Sequence, residues 1–116
     1  MIFLKTFTPL DKIELLQCSI LVNSFSYYQL DETILSDYQY DMDALQLADL
    51  KRECPEEFKQ SRYYEYFHDF CSEDSDQHAT SGFDLLYRIE KKDPELYRHI
   101  WIDAELALKT KHERQG

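Results

Sequence analysis

The side chains best suited to chemistry are tyrosines and aspartates concentrated in residues 27–41, the segment YYQLDETILSDYQYD. This segment contains no lysine, arginine, glycine or proline. Flat aromatic rings stack on planar or cationic groups, and ionised carboxylates accept hydrogen bonds from hydroxyl and amide donors. The segment therefore suits a planar cationic or hydroxyl-rich ligand. Its candidate ligand-binding residues are Tyr27, Tyr28, Asp31, Asp37, Tyr40 and Asp41.

The flanking residues predict that this segment is the elbow of a helical hairpin. Thr8 and Pro9 are typical of a helix start, and apolar residues then recur at helical spacing to Leu30. Residues 31–35 form the elbow. Ser36 is expected to cap a second helix, with Gln39 completing a capping-box pattern. On that helix Asp37 and Asp41 lie four residues apart, and Tyr40 lies three after Asp37, so all three share a face.

The second helix is expected to bury one stripe and to end or bend at Pro55. The residues of that stripe are Tyr40, Ala44, Leu47, Leu50 and Cys54. Four aromatic residues between 63 and 70 recur at helical spacing and favour a third helix over 58–70, although so many aromatics would also suit a strand.

Residues 71–82 are polar and unpatterned, which predicts a loop. Ser81 and the pair Asp93–Pro94 are expected to begin two more helices. The last helix is expected to place Trp101 on its inner side, and the tail KTKHERQG to be frayed and solvated. The predicted fold is all-α: one domain over residues 1–116, in which a hairpin of about 9–54 packs against two or three further helices.

Composition limits the function classes. The 116 residues have a net charge of −10, and residues 31–84 hold 15 acidic against 4 basic residues. Direct nucleic-acid binding is disfavoured, because neutralising phosphates needs a basic surface. Three widely spaced cysteines without a CxxC pair, and no apolar run of about 20 residues, predict a cytoplasmic protein that does not span a membrane.

The tyrosine and aspartate pattern resembles the small N-terminal helical subdomain (Ia) of bacterial NAD-dependent DNA ligases. That family pattern is Tyr-(Tyr or His), two residues, Asp, and then Ser/Pro-Asp, two residues, Tyr-Asp. The chain also resembles short free-standing ligase-related proteins of phages and Gram-positive bacteria, which share the stretch Ser81-Gly82-Phe83-Asp84-Leu85. The ligase-like part covers about residues 10–57, and residues 58–116 add further helices. Its matched positions are Tyr27, Tyr28, Asp31, Ser36, Asp37, Tyr40 and Asp41.

The resemblance implies a site for the nicotinamide mononucleotide (NMN) half of NAD. Tyr27, Tyr28 and Tyr40 would contact or stack on the nicotinamide. Asp31 and the other two aspartates, 37 and 41, would accept hydrogen bonds from its amide and from ribose hydroxyls. No Lys-x-Asp-Gly adenylation motif is present, and the only glycines are Gly82 and Gly116. The resemblance therefore implies a non-catalytic NMN- or NAD-recognition module without ligase activity of its own.

Packing offers an alternative explanation of the elbow, because aromatic stripes at helical spacing usually form core. The tyrosines would then lie in the hairpin interface, and the aspartates would cap helices or be solvated. The C-terminal aromatics Tyr87, Tyr97 and Trp101 are likewise most simply core, and an exposed subset of them would make a docking surface.

Other residue groups favour no metal or nucleophile site. Cys54, His68, Cys71 and His78 have no compact zinc-ligand spacing. The acidic run of Asp69, Glu73, Asp74 and Asp76 lacks the glycine and terminal glutamate of a calcium-binding loop. Pairing of His68 with Cys71 as base and nucleophile has no local support. We therefore expect no metal.

Two further functional hypotheses come from different classes. The chain could be a small acidic phage-type interaction protein that inhibits a host DNA- or RNA-processing enzyme or a defence complex, with its carboxylates standing where phosphates would bind. A weaker alternative is a nicotinamide-nucleotide hydrolase that uses Asp37 or Asp41 as base or nucleophile.

The missing lysine motif gives a direct expectation for catalysis. Incubation of the protein with NAD should yield no adenylated product, because no lysine stands in a nucleophile motif. Intact-protein mass spectrometry checks this, with a complete NAD-dependent ligase as the positive control. A mass increase equal to AMP on any lysine contradicts the non-catalytic interpretation.

Overall fold

The computed structural model describes residues 8–70 and 82–115. These residues form six helices and no strand, which confirms the all-α prediction. The helices are α1 (Pro9–Gln29), α2 (Asp37–Glu53), α3 (Pro55–Lys59), α4 (Tyr64–Phe67), α5 (Gly82–Lys92) and α6 (Pro94–Gln115).

The first two helices form the predicted hairpin. Ser19 of α1 donates a hydrogen bond to Asp43 of α2 at 3.1 Å, and Ser24 pairs with Tyr40 at 3.0 Å. The later residue of α1 pairs with the earlier residue of α2, so the two helices run antiparallel. The connecting loop comprises residues 30–36.

Both hairpin helices begin at the predicted caps. The Thr8 hydroxyl accepts from the Asp11 amide at 3.1 Å, and the Thr8 amide donates to the Asp11 carboxylate at 3.2 Å, a complete capping box. Ser36 accepts from the Gln39 amide at 3.1 Å. The Gln39 side chain instead donates to Asp43 at 3.0 Å, so the expected box at Ser36 is only half formed.

The chain turns after α1 through a left-handed residue. Asp31 has a φ of 55°, a conformation that aspartate tolerates better than most side chains. The Glu32 amide then donates back to the Ser26 carbonyl at 3.1 Å, and the Ser26 hydroxyl donates to the Glu32 carbonyl. These bonds satisfy backbone groups at the helix end and set the direction of the loop.

The predicted single helix over 58–70 is wrong. Pro55 ends α2 and starts α3, and α4 follows only after a turn at residues 60–63. Ser61 explains the break, because its hydroxyl donates to the Phe58 carbonyl at 2.5 Å and accepts from the buried Gln17 amide at 2.9 Å. A serine that bonds the local backbone competes with helical hydrogen bonding.

Helix α1 lies at the centre of the core, against α2, α5 and α6. Ile13, Ile20 and Phe25 of α1 are almost fully buried, and so are its polar residues Gln17 and Ser24. Helix α5 contributes Leu85, Leu86 and Ile89, and α6 contributes Ile100, Ala104 and Leu108. The core is therefore a layer of helices wrapped around α1.

The end of α6 departs from prediction. Residues 109–115 are helical rather than frayed, and they reach the hairpin loop. Lys111 donates to the Thr33 carbonyl at 2.5 Å, and the His112 ring lies 2.6 Å from the Glu32 carboxylate. Asp93 caps α6 as expected by accepting from the Leu96 amide at 3.1 Å.

The C-terminal aromatics differ in burial. Tyr87 is exposed, and Trp101 is 45% exposed rather than on the inner side, although its ring still lies 5.7 Å from that of Phe25. Tyr97 is half-buried against Phe25 at 5.3 Å. The core interpretation therefore fits Tyr97 and fails for the other two.

Cys18 and Cys54 are free thiols. Across residues 8–70 and 82–115, no helix is both long enough and apolar enough to cross a membrane.

Ionisation of the buried Tyr63 makes the free energy of unfolding depend on pH in the alkaline range. Burial is the main cause that raises the pKa of Tyr63 from 10.0 to about 12. The Cys18 thiol, 3.8 Å from the Tyr63 hydroxyl, adds to the rise. The unfolded chain releases this proton at lower pH than the folded one. The stabilisation is thus complete below pH ~10 and is lost as pH rises towards 12.

Urea unfolding between pH 8 and 12 should show this loss. Tyr63→Phe cannot ionise, so its free energy of unfolding should fall less steeply with pH than that of the wild type. Parallel curves for the two proteins would contradict a raised tyrosine pKa.

Candidate functional site

A cleft of about 210 Å³ opens where the end of α1, the loop 30–36 and the start of α2 meet. Helix α1 contributes its last two turns, and α2 contributes its first. The lining residues are Asn23, Ser24, Tyr27, Tyr28, Thr33, Ile34, Leu35, Asp37 and Tyr40.

Four of the six candidate ligand-binding residues line this cleft: Tyr27, Tyr28, Asp37 and Tyr40. The first two are 56% and 46% exposed, so a ligand can reach their rings. Asp31 and Asp41 are exposed but do not line the cleft. The left-handed backbone at Asp31 gives that residue a structural role whether or not it binds a ligand.

Tyr40 is held more tightly than the other two tyrosines. Its hydroxyl lies 3.0 Å from that of Ser24, and its side chain packs against the core. Burial raises the pKa of Tyr40, the hydrogen bond shared with Ser24 opposes that rise, and Tyr28 and Asp41 add to it. Tyr40 is thus a neutral phenol at physiological pH, and it both packs the hairpin and faces the cleft.

Asn23 of α1 lines the cleft and holds the loop. Its amide nitrogen donates to the Ser19 carbonyl at 2.6 Å, and its amide oxygen accepts from the Leu35 backbone at 3.2 Å. Both ends of the side chain are therefore engaged, and they fix the loop backbone against α1. Asn23 positions the wall and is not itself a free ligand contact.

Sequence reasoning missed Asn23 and Ser24. A signal existed, because Asn23 lies four residues before Tyr27 and Ser24 lies four before Tyr28, so each pair shares a helix face. The loop residues Thr33, Ile34 and Leu35 carry no comparable signal, since a loop has no periodicity to indicate its inner side.

The stretch at residues 81–85 meets the tyrosine-rich segment in space. The Phe83 ring packs edge-on against Tyr28, with centroids 5.6 Å apart, and Tyr28 packs in the same way on Tyr27 at 4.9 Å. Gly82 lies directly over Ser24 and Tyr40. Ser81, the expected cap of α5, lies outside the described residues.

Asp37 is the charged group of the cleft. It stands at the first position of α2, where its negative charge complements the positive end of the helix dipole. Within residues 8–70 and 82–115 its carboxylate forms no hydrogen bond or ion pair. It is therefore available to accept donors from a ligand stacked on the neighbouring tyrosines.

The other candidate groups gain no support from the described residues. Those residues contain no cluster of three or more histidine, cysteine or acidic side chains suited to a metal. Asp69 forms a two-pronged ion pair with Arg88, at 3.2 and 3.1 Å. The proposed partners Cys71, Glu73, Asp74, Asp76 and His78 lie outside the described residues.

No protein-family model, curated protein or solved structure matches the chain.

The contact of Gly82 with the cleft gives a stability prediction. A Cβ at this position would collide with the Ser24 hydroxyl and would lie 2.9 Å from its Cβ and 3.0 Å from the Tyr40 hydroxyl. We expect Gly82→Ala to lower the free energy of unfolding by about 1–3 kcal/mol, the usual range for overpacking. Urea unfolding monitored by circular dichroism measures the change.

A double-mutant cycle supplies the control. Ser24→Ala removes the colliding oxygen, so Gly82→Ala should cost less in that background than in the wild type. Equal costs in the two backgrounds would show that α5 does not approach Ser24 so closely.

Proposed function

We propose that the cleft beside residues 27–41 recognises nicotinamide nucleotides, NMN or NAD, without catalysing their conversion. The observation that carries the proposal is the convergence of Tyr27, Tyr28, Tyr40 and Asp37 on one open cleft. These four positions also belong to the pattern that resembles the ligase subdomain. Four of the seven positions matched to that subdomain thus line the cleft.

The size of the cleft limits how much of the ligand it can enclose. Pockets that bury a drug-sized ligand usually measure about 300–1,000 Å³, and this one measures about 210 Å³. A nicotinamide ring with part of its ribose suits this volume, whereas an adenylate half would extend into solvent. NMN and NAD should therefore bind through the same half of the molecule.

The polar groups suit the donors of that half. The Asp37 carboxylate, which has no partner among the described residues, can accept from the carboxamide or from ribose hydroxyls. The half-exposed rings of Tyr27 and Tyr28 can contact the pyridine ring. Asn23 and Ser24 have internal partners, so they shape the cleft more than they bind. Without a nucleophile motif, binding would serve to sense or sequester the nucleotide, or to assist another protein.

A second candidate function rests on a different surface. Tyr38, Met42 and Leu45 are 71%, 42% and 46% exposed and form a stripe along α2 at helical spacing. In an interaction protein this stripe would lie in an apolar groove of the partner, and the acidic side chains of α2 would pair with a basic rim around that groove. Met42→Glu should abolish such docking and leave nucleotide binding unchanged.

Titration of the protein with NMN tests the first candidate. Tyr27→Ala and Asp37→Ala should each raise the dissociation constant about 5- to 30-fold, because each loses one stacking or hydrogen-bonding partner worth about 1–2 kcal/mol. Tyr40→Ala should also weaken binding, with an additional loss of stability from its burial. Isothermal calorimetry measures affinity, and thermal unfolding separates the two effects.

Tyr38→Ala is the matched control, because Tyr38 is an exposed tyrosine of α2 that does not line the cleft. Its affinity should equal that of the wild type. Wild-type protein that binds neither NMN nor NAD at millimolar concentration removes the proposal and leaves the packing explanation. Release of free nicotinamide from NAD would instead favour the hydrolase alternative.

A further inference from the structure

We infer that the cleft selects the cationic pyridinium nucleoside, nicotinamide riboside, over its phosphorylated form, NMN. This inference rests on the proposed function and specifies which nicotinamide compound the site prefers. It follows from the charges around the cleft, its volume and the state of the nearby helix end.

Among the described residues that line the cleft, the only formal charge is negative. Asp37 is the one charged residue that lines the cleft, and within the described residues no lysine, arginine or histidine does so. Asp31 and Asp41 stand exposed on the adjoining loop and helix turn and add negative charge. A phosphate monoester brought to this mouth meets like charge.

Two basic side chains at the end of α6 contact the loop 30–36. Lys111 donates to the Thr33 carbonyl at 2.5 Å, and His112 contacts the Glu32 carboxylate at 2.6 Å. Both hold the loop, and neither lines the cleft. Because neither lines the cleft, they form no phosphate clamp inside it of the kind that nucleotide sites build from paired basic side chains.

The start of α2 does not replace such a clamp. A helix N-terminus attracts anions through its free amides and its dipole. Here the Ser36 hydroxyl already accepts from the Gln39 amide at 3.1 Å, and the Asp37 carboxylate places a negative charge at the same end. The protein's own groups thus satisfy one of the free amides and place a like charge beside the others, which disfavours phosphate at this helix end.

The same groups favour a cation. An N-alkylated pyridinium ring carries a positive charge, which tyrosine faces attract through their quadrupoles and a carboxylate attracts directly. Tyr27 and Tyr28 are about half exposed and line the cleft together with Asp37. The ring and ribose suit the cleft of about 210 Å³, so that a 5′-phosphate would stand at its acidic mouth.

Calorimetric titration with four ligands tests the inference: nicotinamide riboside, NMN, nicotinamide, and the reduced, uncharged form of the riboside. At low salt the riboside should bind about three- to tenfold more tightly than NMN, since one or two like charges near a surface carboxylate are worth that much. Added salt should narrow the difference, because it screens exposed charges. The reduced riboside and nicotinamide should bind more weakly than the oxidised riboside.

Asp37→Asn tests the source of the selectivity. It should weaken riboside binding and bring the affinities for riboside and NMN closer together. Asp41→Asn removes the same charge one turn along α2, away from the cleft lining, and should change the ratio less. Unchanged thermal unfolding of both variants shows that they remain folded.

The outcomes separate this inference from the proposed function. NMN binding as tightly as the riboside, or more tightly, overturns the inference and leaves nucleotide recognition standing. Failure of every nicotinamide compound to bind overturns both. Equal binding of the oxidised and reduced riboside also overturns the inference, because charge would then play no part.

Discussion

Three helices meet at the side chain of Ser24. Its hydroxyl pairs with Tyr40 of α2, and the first residue of α5, Gly82, lies so close that no side chain fits between them. The contact is one of several that join the hairpin to the second half of the chain. It also fixes the Tyr40 hydroxyl in the cleft wall, where Ser24 lies as well. The cleft therefore depends on close packing among these three helices.

The helices and their caps could be predicted because they depend on neighbouring residues. Thr8, Ser36 and Asp93 accept from amides three residues later, which a sequence shows directly. The break in 58–70 could not be predicted from periodicity. It depends on the hydrogen bond between Ser61 and Gln17, residues 44 positions apart, and helical spacing of aromatics carries no information about such a partner.

For the candidate site, too, the residues close in sequence could be predicted and the distant contacts could not. Local spacing placed Tyr27, Tyr28, Asp37 and Tyr40 together, and these residues do line one cleft. It could not show that Asn23 fixes the backbone of Leu35, since that bond requires the loop to return to α1. Nor could it separate the two roles of Tyr40, which packs the hairpin and faces the cleft with the same ring. The packing and binding explanations of the tyrosine pattern are therefore compatible at this residue.

The far end of α6 holds the loop that walls the cleft, through Lys111 on Thr33 and His112 on Glu32. These partners are separated by 78 and 80 positions along the chain. During synthesis on the ribosome, the hairpin emerges long before the residues that secure its loop. The hairpin can form early from local contacts, whereas its cleft acquires this support only after residues 111 and 112 have been translated and α6 has docked. Order at the cleft is thus coupled to the synthesis and docking of residues 111 and 112.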